Sequence, residues 1–260
     1  MKREAQGGPP LERRFQRFLS RLIKHARNDL QHLPLHTHHR IHVLRVRMKK
    51  LGAIMPLVKS RVSKGKYQAI KDCTKRLKNA FDGQRDANVA KKLSTRLGVQ
   101  AGKKANPPLH PMEPLFIEVA ILERLVRESN FRDLRTEDVL DAYVQSYRKG
   151  RKRWKACRED PEPDLLHLWR KAVKKFFYQS LAFRKIKGAK HRIKRSKKLG
   201  KWLGHDHDWH LMAQRAESDG YPNAVKLLEA KRKRVQKRIF KLAEKLYEQS
   251  PRELRRKLEK

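Results

Sequence analysis

Residues 41–51 read IHVLRVRMKKL, and residues 166–176 read LHLWRKAVKKF. Each segment holds a histidine, an arginine three places on, and a Lys-Lys pair seven and eight places on. The members are His42, Arg45, Lys49 and Lys50 in the first segment, and His167, Arg170, Lys174 and Lys175 in the second. At ~100° per residue the histidine, the arginine and the first lysine fall within about 60° of one another, with the second lysine at the edge of that arc. Apolar residues take the other side: Leu44, Met48, Leu51, Met55 and Val58 in one case, Leu165, Trp169, Val173 and Phe176 in the other. The spacing predicts two amphipathic helices, each burying one stripe and turning a basic stripe away from the core.

A second pair of segments follows in the same order. Residues 75–86 read KRLKNAFDGQRD and residues 197–208 read KKLGKWLGHDHD. Lys75 and Arg76 match Lys197 and Lys198, Leu77 matches Leu199, Phe81 matches Leu203, and Asp86 matches Asp208. Two ordered matches indicate an internal duplication. The remaining apolar residues also recur at helical spacing, and no sustained strand alternation is present. Helices are expected over 11–33, 37–60, 64–81, from Asp86 to Gly98, 113–128, 136–157, 165–187, 190–203, after Asp208, and over 223–249. Pro56 should kink the second or end it early. The stretch from Gly98 to Pro111 reads as a linker. Asp86 and Asp208 each stand where a helix should begin. N-capping is the favoured role, with orientation of a neighbouring basic side chain as the alternative. The expected fold class is all-α and internally duplicated, with helical halves at residues 11–130 and 131–249 and flexible termini at 1–10 and 250–260.

The formal net charge is +40, from 67 Lys and Arg against 27 Asp and Glu. Self-repulsion on that scale opposes a compact fold unless an anion offsets it, so a polyanionic partner is expected. From His36 to Lys66 there is no Asp or Glu. A solvated helix face normally mixes signs to gain i,i+4 pairs, which favours a binding face over a solubilising one. Cys73 and Cys157 are far apart, without disulfide or zinc-ribbon spacing, as suits a reducing cytoplasm. The first ten residues hold no apolar signal core, and no apolar run reaches membrane-spanning length. A cytoplasmic protein without membrane attachment is expected.

The repeated His-x-x-Arg with Lys-Lys, followed by Leu199-x-x-x-Leu203-Gly204-x-x-x-Asp208, resembles the conserved histidine α-helical domain, or CHAD, family. The resemblance extends from about Leu11 to about Tyr247. It implies two pseudo-symmetric helical bundles facing each other across a basic cavity. It also implies inorganic polyphosphate as the ligand, with association with polyphosphate granules in some members. Carried over by position, the residues implied to bind polyphosphate are His42, Arg45, Lys49, Lys50, Lys75, Arg76 and Arg85 in the first half. In the second half they are His167, Arg170, Lys174, Lys175, Lys194, Lys197, Lys198, Lys201 and His207. The first half departs from the pattern: Phe81-Asp82 stands where Leu-Gly is usual.

The chemistry suits such a polymer. Arginine forks onto phosphate oxygens, lysine acts as a point charge, and phosphate favours protonated histidine. Nucleic acid is the leading rival and a competing polyanion, since phosphate contacts dominate its non-specific binding too. Against it, aromatics are few and fall on helical core stripes, and no RNP or zinc-finger spacing occurs. A metal site at His36, His38, His39 and His42, or at His205, Asp206, His207, Asp208 and His210, is a second rival. His38 and His42 have i,i+4 spacing but lack the His-Glu-x-x-His pattern, so no dedicated metal or other cofactor is expected. Neither a P-loop nor an alternating Glu-x-Glu-x-Lys signature is present, and the acids are sparse, so a non-enzyme is expected.

Overall fold

The computed structural model describes residues 10–33, 37–83, 111–183 and 188–259. Pro34, His36, Arg85, Asp86, the expected helix from Asp86, the linker up to residue 110 and the end of the 165–187 helix lie outside them, as do residues 1–9. The described residues form nine α-helices and no strand. The helices are α1 (Leu11–Gln31), α2 (Thr37–Ile54), α3 (Lys64–Asn79), α4 (Met112–Arg127), α5 (Thr136–Glu159), α6 (Pro163–Ala182), α7 (Ala189–Ser218), α8 (Pro222–Leu246) and α9 (Pro251–Glu259). The chain divides into two compact units, Met1–Val139 and Leu140–Lys260. No described helix is long and apolar enough to cross a membrane.

In the first unit α1 packs on α2 and α4, and α3 packs on the same two helices, so the four close a ring around one core. Leu19, Ile23 and Leu30 from α1 meet Leu44, Met48 and Leu51 from α2, Ile70 and Leu77 from α3, and Val119 and Leu122 from α4, all fully buried. Pro56 sets the end of α2. It lacks the N–H for the next helical bond, and the chain tightens into 3₁₀ turns at Met55–Leu57 and Lys59–Arg61. The apolar stripe survives the change, since Met55, Leu57 and Val58 are buried. Ser63 caps α3 by accepting from the Lys66 N–H.

In the second unit α6, α7 and α8 pack in sequence order. An aromatic wall from α5 lies against them: Tyr143 stacks on Phe176 at 4.9 Å, Tyr147 meets Tyr247 at 5.3 Å, and Trp154 stacks on Tyr247 at 5.7 Å. Full burial of a ring such as Phe176 contributes about 1.5–3 kcal/mol. Two of the buried hydroxyls are satisfied, Tyr143 by Ser180 at 2.8 Å and Tyr147 by donating to the Gln249 carbonyl at 2.8 Å. α7 ends in a Schellman turn. Gly220 adopts φ 77°, and the Tyr221 N–H reaches back to the Ala216 carbonyl.

Two expectations are corrected here. The helix expected to stop at Leu203 and restart after Asp208 is one continuous helix, α7, so Asp208 lies mid-helix and caps nothing. Residues 251–259, expected to be a flexible terminus, form α9, with Leu254 and Leu258 buried. Pro251 opens α9, and a capping box fixes its start: the Ser250 N–H donates to Glu253 Oε2 at 2.6 Å and the Glu253 N–H donates to Ser250 Oγ at 3.2 Å.

Candidate functional site

In the second unit the repeated motif lies on α6 and faces α7 in antiparallel register. Climbing α6 from His167 to Arg170 to Lys174 descends α7 from His207 to Gly204 to Gly200. The His167 and His207 rings lie 4.3 Å apart. A Cβ at Gly204 would stand 3.5 Å from Arg170 Nε, and a Cβ at Gly200 would stand 3.5 Å from Lys174 Cγ. The two glycines therefore let long basic side chains lie flat across α7. That placement costs Lys174 some of its hydration. Burial, then the Arg170 charge, holds its ammonium pKa below the ordinary lysine value, while Asp208 pulls it back. Asp208 thus acts electrostatically on a neighbouring cation. Lys175 is likewise lowered by burial and by Lys149.

Beside this pair of helices runs a row of exposed lysines on α7: Lys194, Lys197, Lys198 and Lys201. No Asp or Glu occurs between Ala189 and His205. Among the described residues no carboxylate pairs with these four lysines; Lys198 instead lies over the Trp202 ring at 4.7 Å. The opposite side of α7 is clamped to α8 by Asp206, 1% exposed, which accepts from Gln236 at 2.8 Å and pairs with Arg232 at 3.4 Å. Burial raises the Asp206 carboxyl pKa, opposed by the Gln236 bond and by Arg232.

The first unit places its copy of the motif differently. His42 and Lys49 are exposed and Lys50 is half-buried, with its pKa lowered by burial and then by Arg47. Arg45, expected on the solvent-facing stripe, is only 6% exposed and turns into the α2–α3 interface. There its Nη1 donates to the Lys78 carbonyl and to Asp82 Oδ1, the latter at 2.5 Å. Lys75 and Arg76 line an open hollow of about 550 Å³ between α3 and α4, and Arg76 donates to both oxygens of Glu118, at 2.7 and 3.1 Å. Arg85 lies outside the described residues. The acid-free 36–66 segment finds its counter-charges on other segments: Arg40 and Arg47 converge on buried Asp29 of α1, Arg61 reaches Asp138, and Lys66 reaches Glu128.

Asp29, and the burial of Asp206 against α8, were not anticipated from the sequence, yet both carried a signal. Each continues an apolar stripe at helical spacing, Leu22–Ala26–Asp29 and Leu199–Leu203–Asp206. A lone acid on such a stripe demands a buried cation. Both cysteines are free and buried, and burial lifts each thiol pKa to about 11. No group of three or more His, Cys, Asp or Glu among the described residues is arranged to hold a metal ion.

No curated protein and no solved structure matches this chain. The family model of the CHAD domain matches residues 119–217, which take in most of α4, all of α5 and α6, and α7 with its glycines and lysine row. This match, over residues 119–217, supports the CHAD family that the repeated histidine motif resembles.

Proposed function

We propose that this chain binds inorganic polyphosphate without catalysis. The α6–α7 face of the second unit is the main contact, and attachment to polyphosphate granules is the cellular consequence. The observation that carries the reading is the row Lys194, Lys197, Lys198 and Lys201, free of neighbouring acids and flanked by His167, Arg170 and Lys174. Successive lysines three or four residues apart stand about 5–6 Å from one another along the helix, a ladder of point charges with no device for reading bases. Polyphosphate carries charge at every unit and nothing else to recognise, so such a ladder is a sufficient receptor. The resemblance to CHAD domains supports the same ligand. No phosphoryl-transfer step is assigned to the face. Asp206 is tied to Arg232 and Gln236, away from the lysine row.

The test is a salt titration of binding to polyphosphate of defined length. Reversing the charge of Lys194, Lys197, Lys198 and Lys201 together is expected to flatten the log–log salt slope by about 3, taking ~0.7 per lost phosphate contact on a single strand. Reversing Lys231, Lys233, Lys237 and Lys241 on α8 should change affinity less. Long polyphosphate should displace bound RNA more efficiently than RNA displaces polyphosphate. The opposite order would transfer the function to nucleic acid.

A further inference from the structure

Asp82 follows Phe81 as Gly204 follows Leu203, so the two occupy matching places in the duplicated pattern. The register of the helices agrees. Arg45 meets the Lys78 carbonyl and Asp82 across the α2–α3 interface, as Arg170 lies across Gly204 between α6 and α7. The side chains differ in kind. Gly204 brings no charge to Arg170, whereas Asp82 brings a carboxylate to within 2.5 Å of the Arg45 guanidinium. The Arg45 side chain is 8% exposed and that of Asp82 is 44% exposed, so the carboxylate holds the solvent side of the pair. A phosphate oxygen approaching Arg45 from solvent meets Asp82 first.

We infer that Asp82 is a built-in counter-anion, which holds Arg45 where a phosphate would otherwise bind and so spends the first copy of the arginine on the fold instead of on the ligand. The inference rests on the polyphosphate reading above. Carboxylate and phosphate compete for the same guanidinium fork, and the carboxylate is already in place. Displacing it would leave an anion beside an incoming polyanion, which repels it. Arg45 is therefore a positioning residue that joins α2 to the end of α3, and the two copies of the motif are unequal in binding.

The experiment measures polyphosphate affinity at several salt concentrations for the full chain, for Asp82→Gly and for Asp82→Asn. Asp82→Asn keeps an oxygen for Arg45 and removes only the charge, so it guards against a loss of folding in Asp82→Gly. Both variants are expected to bind roughly two- to fivefold more tightly, the range of an exposed ion pair. Both should also steepen the salt slope by about 0.7, one added phosphate contact. Adding Arg45→Ala to Asp82→Gly should erase the gain, a non-additivity expected of direct partners. Unchanged affinity and slope in both Asp82 variants, with the parent chain binding normally, would overturn the counter-anion and leave the polyphosphate reading intact. A well-folded parent chain that binds no polyphosphate would sink both.

Discussion

The imidazole rings of His167 on α6 and His207 on α7 lie 4.3 Å apart, tilted by 40°. Two imidazolium charges at that distance repel by about 1 kcal/mol in water and about 4 kcal/mol in a partly buried setting. An anion laid across both rings removes that repulsion, so binding takes up protons. Polyphosphate affinity is therefore expected to be higher at pH 6 than at pH 8. His207→Ala should weaken the dependence. Binding measured from pH 6 to 8 at constant salt checks this, and a flat profile for the parent chain would remove the histidines from the site.

Lys174 is expected to bind ligand at a cost in stability. Its folded pKa is lowered by burial and by Arg170, against a partial return from Asp208. At neutral pH the native state therefore holds a charge that it disfavours. Wild-type stability should climb as pH rises from the lowered folded value toward the ordinary 10.5, because the unfolded chain then binds more protons than the native one. Lys174→Met removes the charge and keeps the apolar stem. It should raise Tm by about 1–3 °C at pH 7 and by less above pH 10.5, while polyphosphate affinity falls several-fold. Thermal melts at the two pH values and one binding isotherm test both halves of the trade.

Two interior glycines should respond to alanine with opposite signs. A Cβ at Gly204 would meet Arg170 at an ordinary 3.5 Å, so Gly204→Ala is expected to keep the arginine in place and stabilise α7 by roughly 0.5–1 kcal/mol through helix propensity. A Cβ at Gly150 would stand 2.5 Å from the Tyr247 hydroxyl oxygen, on a rigid ring that is fully buried. Gly150→Ala should destabilise by about 1–3 kcal/mol despite the same propensity gain. Denaturant melts of the two variants should move in opposite directions.

The glycines also show where the sequence was misleading. All-helical character, the ending of α2 at Pro56 and the burial of the Leu44–Met48–Leu51 stripe were legible, because each follows from local geometry or periodicity. The continuity of α7 was not. Leu-Gly at 203–204 followed by Asp208 has the look of a helix stop and a fresh N-cap, and only the Arg170 side chain lying across Gly204 explains a glycine inside a helix. The partnership of Arg45 with Asp82 was hidden too, since periodicity set Arg45 on the solvent-facing stripe and names no partner. α9 was legible and overlooked: Ser250-Pro251-Arg252-Glu253 is a capping box with proline at the first helical position.

The two buried carboxylates should part company when each becomes an amide. Asp29 has no solvent exposure and binds Arg47 at 2.5 Å and Arg40 at 3.2 Å, so Asp29→Asn leaves two half-buried guanidinium groups without a counter-charge. A loss of about 2–4 kcal/mol is expected, near the range for breaking a buried pair. Asp206 faces one arginine and the Gln236 amide, and burial outweighs them, raising its folded pKa above the ordinary 3.8. A raised carboxyl pKa means that the native state holds the proton more tightly than the unfolded chain does. That contribution is full below pH 3.8 and is lost as pH rises through the folded value. Asp206→Asn, which imitates the protonated group, should therefore raise Tm by about 1–3 °C at pH 7, an advantage that disappears below pH 4. Melting curves of both variants at pH 7 and pH 3.5 decide the matter, and a loss for Asp206→Asn at pH 7 as large as that for Asp29→Asn would refute the asymmetry.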